Sequence, residues 1–469
     1  MESRTSDNPQ HTAVIPPRPA GREVSRHLID DVLDWLEDEH DSRYGGFGRE
    51  SKSLDALPLL LLLWSDTWGL RDRSGLAVQT LRAAYASGIR DAIEDGFFHY
   101  ADGRDWSSPH REKLLSDNAW LVQCFLVAHA VSGLSEFATA AWETAGYMDN
   151  VLWTPDRGFY GSLQEADDDY YGEDVEGRRR RAAPPVDRAV YANWNALAAT
   201  SKLLLAWQSG SDSHGDRALQ VIDGLMEHMI ESRGACNHYQ AEGRKPQLTG
   251  NLSDYAFVSL ALGEAYQYTQ DSKYLDVMTS VLRFCDNNLK APDGTFHDVT
   301  HSDEKPPDVA GANQRAHYNA LLATAYRMAA GLTHDLAYHD TATAILEGLG
   351  PSAPVNHPAV ALATGVFLRP VSVTCDSRDR DLSLWAKTRF LPGLVLQYDD
   401  HASQGAIVCV EDRCLKPAST RQQLSDHLSK VYSLMNRVEH LAEYDEAPRP
   451  FLSAARDQAR QADRPLHNG

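Results

Sequence analysis

DGFFHYADGRDWSSPHREKLLSDNAW, residues 95–120, sets the reading of the whole chain. It opens on a Gly-aromatic turn at Gly96-Phe97 and passes through a polar loop holding Trp106, His110 and Glu112. It then enters a helix at Asp117-Asn118. Weaker copies recur at Gly46-Phe47, Gly158-Phe159 and Gly294-Thr295-Phe296. Glycine accepts backbone angles that other residues resist, which suits a tight turn. A period of roughly 50–60 residues is long for an open solenoid but natural for helical hairpins with a working loop.

Working outward, each turn separates an amphipathic helix from a more apolar one. Glu23–His40 carries one apolar stripe, whereas Ser53–Trp68 is apolar nearly all round. The alternation continues through Ser74–Ile89, Asp117–Val131, Glu136–Trp153, Arg188–Trp207, Asp216–Glu231, Ser253–Thr269, Lys273–Leu289, Ala312–Ala330, Ala337–Leu349 and His357–Phe367. A helix apolar on all sides is buried on all sides; a striped one covers it. About six such pairs predict an all-α fold, an (α/α)6 barrel or six-hairpin toroid. Beyond Leu368 the pattern changes. Val371–Thr374, Leu394–Tyr398 and Ala406–Val410 are short and rich in β-branched residues, which predicts strands. The expected organisation is a disordered lead over 1–22, the barrel over 23–368, a small strand-containing appendage with a closing helix (Leu424–Leu441) over 369–442, and a flexible tail over 443–469. The polar segment Gln164–Arg181, with its acidic run and Arg178–Arg181, reads as a solvated loop.

Composition narrows the partners. The 469 residues are 42% hydrophobic and 24% charged, ordinary for a globular chain, but the net charge is −21. Such a surface repels phosphates and anionic lipid, so neither nucleic acid nor membrane is an expected partner. Lysine is rarer than arginine, and an acidic, lysine-poor surface is similar to that of proteins working in high salt, where self-repulsion is screened; an ordinary acidic cytosolic protein is the alternative. The longest apolar run, Ala56–Trp64, is about half the ~20 residues a spanning helix needs, and the start has no apolar signal region. The expected location is the cytoplasm. Six scattered cysteines are too few for a disulfide scaffold. Cys124 and Cys285 lie in apolar helical patterns. Cys409 and Cys414 are expected to be reduced in a cytosol, with a disulfide or metal half-site as alternatives.

The apolar helices start on polar residues: Asp55, Asp117 and Asn118, Asn193 and Asn195, Asp254, Asn313, and Asn356 with His357. Any one of them can cap its helix. If the inner helices run parallel, however, all these residues gather at one mouth with the positive ends of the helix dipoles. Aromatic residues accompany them, among them Tyr100, Trp106, Trp194 and Tyr255. Aromatic faces beside carboxylates, amides and a histidine suit a sugar, with its C–H faces and hydroxyl edges.

The motif Trp106-Ser-Ser-Pro109-His110-Arg-Glu112-Lys113-Leu-Leu115-Ser-Asp117-Asn118-Ala119 closely resembles one of the YyaL / spermatogenesis-associated protein 20 family. Other pieces match in order: Gly45-Gly46-Phe47-Gly48 with Lys52, Trp194-Asn195, Asp254-Tyr255-Ala256, Phe390-Leu391-Pro392 and Cys409–Cys414. The resemblance covers about residues 25–425. It implies an N-acylglucosamine 2-epimerase-like (α/α)6 barrel, which in this family follows a thioredoxin-like domain. No such domain is recognisable here, so its thiol chemistry is not carried over. The family's S-A-E-D-A-D segment is Ser162-Leu-Gln164-Glu165-Ala-Asp167, and its A-P-K-F-P is Glu50-Ser51-Lys52-Ser53-Leu54.

Two functions are expected from this. In the first, the barrel is a sugar epimerase- or isomerase-like enzyme with His110 as base and Glu112 or Asp254 orienting it, since histidine titrates near neutrality. A glycosidase-like variant would draw two carboxylates from Asp117, Asp167 and Asp254. Lys52, Tyr100, Trp106, Asn118, Asp167, Trp194, Asn195, Tyr255 and Asn313 are the expected substrate-binding residues. In the second, the barrel is a non-catalytic binding or interaction module. The expected partners are a small sugar and a separate thioredoxin-like protein; no cofactor or metal is expected.

Overall fold

The computed structural model describes residues 26–70, 72–299, 312–352, 356–399, 405–410 and 413–436. The lead expected over 1–22 and the tail over 443–469 lie outside them. Twelve helices build the barrel in outer–inner alternation. The outer ones are α1 (Arg26–Glu39), α3 (Ser74–Tyr85), α5 (Ser135–Tyr147), α7 (Asp212–Gly224), α9 (Ser272–Asn288) and α11 (Leu336–Ser352). The inner ones are α2 (Ala56–Trp64), α4 (Leu115–Ser132), α6 (Ala192–Ser209), α8 (Leu252–Thr269), α10 (Ala312–Thr333) and α12 (Pro358–Leu368). Each inner helix packs against the next, and α12 packs against α2, so the ring closes as an (α/α)6 barrel.

Burial follows the sequence pattern. Fourteen of the eighteen residues of α8 are buried. In α9 only Tyr274, Met278, Val281, Leu282 and Cys285 are, one stripe at helical spacing. The turns are nearly superimposable in bonding. Asp41 N–H donates to Gly46 O at 2.9 Å, and Asp91 N–H donates to Gly96 O at 3.0 Å. Gly46 and Gly96 both sit at φ 74°, and a Cβ would come within 2.7 Å of Trp106 at the first and 2.6 Å of Tyr147 at the second. Only glycine fits there. After each turn the chain bridges back antiparallel: His40 with Phe47, Arg90 with Phe97, Ile230 with Cys236, Lys290 with Phe296. The Ile230–Cys236 copy carries cysteine where the others carry an aromatic.

The segment expected to be a solvated loop is partly interior. Two helical turns, Asp168–Tyr171 and Val175–Arg179, bury Tyr170, Tyr171 and Arg178. Arg178 reaches Asp91 at 2.8 Å and Glu94 at 3.2 Å, and Asp91 also holds Lys113 at 2.7 Å. Two cations on a fully buried carboxylate offset its desolvation, which is why this charge run does not stay in water.

The appendage is a four-stranded sheet, order β2-β1-β3-β4, formed by β1 (Val371–Cys375), β2 (Leu394–Tyr398), β3 (Ile407–Val410) and β4 (Arg413–Cys414). The β1–β2 pair is parallel, crossing over through α13 (Arg380–Lys387). A final helix, α14 (Arg421–Asn436), packs on α13 and β3. The appendage plugs the C-terminal ends of the inner helices. Lys387 Nζ pairs with Glu264 at 2.8 Å, Leu396 N–H donates to Gln267 Oε1 at 2.7 Å, and Trp64 Nε1–H donates to Phe390 O at 3.0 Å. The N-terminal ends of the inner helices lie at the opposite end of the barrel from this appendage. Cys409 and Cys414 stand opposite each other on β3–β4 and form a disulfide, where a reduced pair was expected. Cys124, Cys236, Cys285 and Cys375 are buried and free. No helix among the described residues is long and apolar enough to cross a membrane.

Candidate functional site

The hairpins are pinned to the inner helices by one repeated clamp. Asn118 Oδ1 accepts the Phe97 N–H at 2.8 Å, while its Nδ2 donates to Phe97 O and Leu114 O. Asn195 does the same to Tyr160 and Tyr191, and Asn319 to Phe296 and Arg315. In α8 the position belongs to Tyr255, whose hydroxyl accepts the Cys236 N–H at 3.1 Å. These side chains are buried and their hydrogen bonds are spent inside the scaffold.

The clamp orients its neighbours. The inner-helix residue just before each clamp is Asp117, Trp194, Asp254 and Tyr318 in turn, each in the first turns of its helix. In two hairpins the residue two places after the clamped one lies beside it, and both times it is a histidine. His99 Nδ1 stands 2.7 Å from Asp117 Oδ2. His238 Nδ1 stands 3.0 Å from both carboxylate oxygens of Asp254. Asp254 is wholly buried and also accepts the Asn193 N–H at 3.2 Å. The hydrogen bond to Asp117 raises the His99 pKa above its ordinary value against the pull of burial. For His238 burial acts downward, but the bond and charge of Asp254 carry the net shift upward. Burial likewise holds the Asp254 carboxyl above the usual range, with His238 opposing.

Both pairs face one lumen. Trp120 lies three residues after Asp117, and Phe257 three after Asp254; residues so spaced share a helix face. The two rings meet edge-to-face at 5.9 Å across the barrel, although α6 separates their helices in the ring. They form a floor one helical turn below the two carboxylates. The wall continues with Tyr191, whose ring lies 5.0 Å from Trp194 and 5.3 Å from His238. Farther round, burial lowers the His317 pKa to about 4, and His357 is lowered too. Asp55 is an exposed residue whose carboxylate caps α2 by accepting the Leu57 N–H at 3.4 Å.

The residues expected from sequence divide clearly. Asp117, Asp254 and Trp194 line the mouth. Tyr100 stands on the rim, with the His110 ring stacked on it at 4.2 Å. His110 is exposed and one strand farther out than His99, and the Glu112 carbonyl accepts the His99 N–H at 3.0 Å. Asn313 is exposed and offers its carbonyl to His357 Nε2 at 2.9 Å. Asn118, Asn195 and Tyr255 are the clamps. Lys52 is an interior cation on Asp41 at 3.1 Å, Trp106 packs over Gly46 and donates to Tyr44 O, and Asp167 caps the turn at 168–171. His99 and His238 were missed. Their signal is positional: each follows a clamped residue by two and partners the residue before a clamp. A separate cleft of about 380 Å3, lined by Trp153, Thr154, Asp156, Pro185, Val186 and Arg188, holds no histidine pair and lies outside the mouth. Among the described residues no group of three or more His, Cys, Asp or Glu is placed to hold a metal.

No family model matches the chain. Over 161 residues, 33% of this chain, it is 30% identical to spermatogenesis-associated protein 20 of Rattus norvegicus, and over 164 residues 29% identical to that of Mus musculus. The match spans 19% of the length of those curated relatives. Among solved structures the chain is similar to cellobiose 2-epimerase from Spirochaeta thermophila, with TM-score 0.57 and 18% identity over 74% of this chain and 95% of that one. It is similar to a D-mannose isomerase, with TM-score 0.55 and 10% identity over 89% and 100%. It is also similar to a family 76 glycoside hydrolase from a bovine Bacteroides thetaiotaomicron strain, with TM-score 0.53 and 8% identity over 73% and 78%. At these identities the likeness carries the barrel fold.

Proposed function

We propose that the chain is a sugar-binding enzyme that moves a proton on its substrate, in the manner of an epimerase or aldose–ketose isomerase. The observation that carries this reading is His238 held by a wholly buried Asp254 above the Trp120–Phe257 floor. A carboxylate on Nδ1 fixes the imidazole and leaves Nε2 to act. In an open-chain sugar, Nε2 would take the proton from the carbon next to the carbonyl. The bonding pair moves into the C–C bond and the carbonyl oxygen becomes an enediolate oxygen. Reprotonation of the same carbon on its other face re-forms the carbonyl and gives the epimer; reprotonation of the old carbonyl carbon, with the neighbouring hydroxyl proton passing to the enediolate oxygen as the new carbonyl forms, gives the isomer. His99, set by Asp117 in the equivalent position two hairpins earlier, is the complementary acid. Trp194 and Tyr191 supply aromatic faces for the sugar ring.

A second reading rests on Asp55 beside Asp117. Glycoside hydrolysis uses two carboxylates set about 5–10 Å apart, and these two start neighbouring inner helices of the ring. Incubation with D-mannose, D-glucose and cellobiose in D2O separates the readings. Deuterium entering at C2, and lost in His238→Gln, supports the first. Cleavage of a glycoside, lost in Asp55→Asn, supports the second. Neither reaction, with no sugar binding, leaves a non-catalytic barrel.

A further inference from the structure

The hairpin that carries His238 has an anomaly directly across from it. Its strands, Asn237–Gln240 and Gln247–Thr249, pair Asn237 with Thr249 and Tyr239 with Gln247, so Leu248 stands opposite His238. Leu248 has φ 63°, a conformation that a leucine resists because its Cβ crowds the following carbonyl. Among the described residues, two other apolar side chains share this strain, Trp106 and Phe390. Both are buried, at 1% and 7% exposure, and their packing offsets it. Leu248 is 67% exposed, so burial does not account for the kink. The ladder holds it instead: register pairs lie on either side, and Thr249 Oγ1 donates to Asn237 Oδ1 at 2.8 Å. Strain kept without compensating packing, beside a candidate catalytic group, points to function.

We propose that Leu248 is a specificity contact: an apolar cover, set across the hairpin from His238, that closes over the nonpolar face of a bound sugar. This rests on the sugar reading of the mouth. Tyr191 flanks the imidazole from one strand, and Leu248 completes the apolar frame from the other. Covering the imidazole excludes water from the proton being moved and strengthens the field of Asp254.

The test uses Leu248→Ala, Leu248→Gly and His238→Gln in the full chain, with D-mannose and cellobiose as probes by calorimetry, and thermal unfolding alongside. Leu248→Ala should weaken binding about tenfold, the effect of losing one partly buried leucine contact, with no gain in Tm. Leu248→Gly should weaken binding equally and raise Tm, because glycine adopts this φ without strain. If both leucine variants bind within twofold of the parent while His238→Gln abolishes binding, the cover is overturned and the sugar reading stands. If the parent chain binds neither sugar, both fall.

Discussion

His238 and Asp254 are joined by one imidazole nitrogen set 3.0 Å from both oxygens of a carboxylate that has no exposure to solvent. This pair gives the mouth a pH signature. The His238 pKa is raised in the fold, so its contribution to stability is fully present below the unfolded value of about 6.5 and is lost as pH rises through the folded value. Unfolding free energy should therefore fall across the neutral-to-alkaline range in the parent chain. Asp254→Asn should flatten that slope and let burial pull the His238 titration below 6.5 in an NMR measurement. The variant should also cost about 3 kcal/mol, the usual effect of breaking a buried pair. A His238 titration unmoved by Asp254→Asn would refute the pairing.

The three asparagine clamps make the same hydrogen bonds in three hairpins. Asn118→Ala, Asn195→Ala and Asn319→Ala should each cost about 2–3 kcal/mol in urea unfolding, because each strands a buried backbone N–H and C=O. Tyr255→Phe, which loses a single acceptor for Cys236, should cost less than any of them. Unequal losses spread beyond twofold among the asparagines would argue against an equivalent role.

Lys52 tests whether a buried cation near the mouth is scaffold or site. Lys52→Met should destabilise by about 3 kcal/mol by leaving Asp41 short of a partner, with sugar affinity unchanged. Arg104 and then Lys52 hold the Asp41 carboxyl well below the usual range, against burial. That stability is present above an unfolded value of about 4 and is lost as pH falls toward the depressed one. Acid unfolding of Lys52→Met should consequently be less steep. Loss of sugar binding in a folded Lys52→Met would reassign the residue to the site.

The net charge of −21 should make stability salt-dependent. Raising NaCl from about 10 mM, where the screening length is about 30 Å, to 1 M, where it is about 3 Å, should raise the unfolding midpoint. A flat or falling midpoint would show that self-repulsion is not a significant term in this fold.

The barrel was legible because burial has a period. A stripe at Tyr274, Met278, Val281, Leu282 and Cys285 cannot belong to an inner helix, and the continuous run Ala56–Leu63 cannot belong to an outer one. Asp117 and Asp254 were legible as polar starts of apolar helices. Their histidines were not, because each pair joins a hairpin to a helix, and the two-residue offset from the clamped position means nothing until the clamp itself is known. The fourth hairpin also hides its turn behind Cys236, where an aromatic would have marked it. Lys52, Trp106 and Asn118 lie in well-matched motifs, yet their side chains are spent holding the turns. Arg178 was hidden for the opposite reason. In a run of charges nothing distinguishes the one that Asp91 draws inside.

The ring closes between the two ends of the barrel: α1 packs chiefly on α12, more than 300 residues later in the sequence. During synthesis at ~5–20 residues per second, the stripe Ile29, Val32, Leu33 and Leu36 therefore waits on the order of half a minute for its main cover. Partial toroids expose that stripe together with the open flank of the latest inner helix. The final docking of α1 is then a long-range, entropically slow event. The stripe of α1, the first helix among the described residues, is thus the apolar surface that stays uncovered longest.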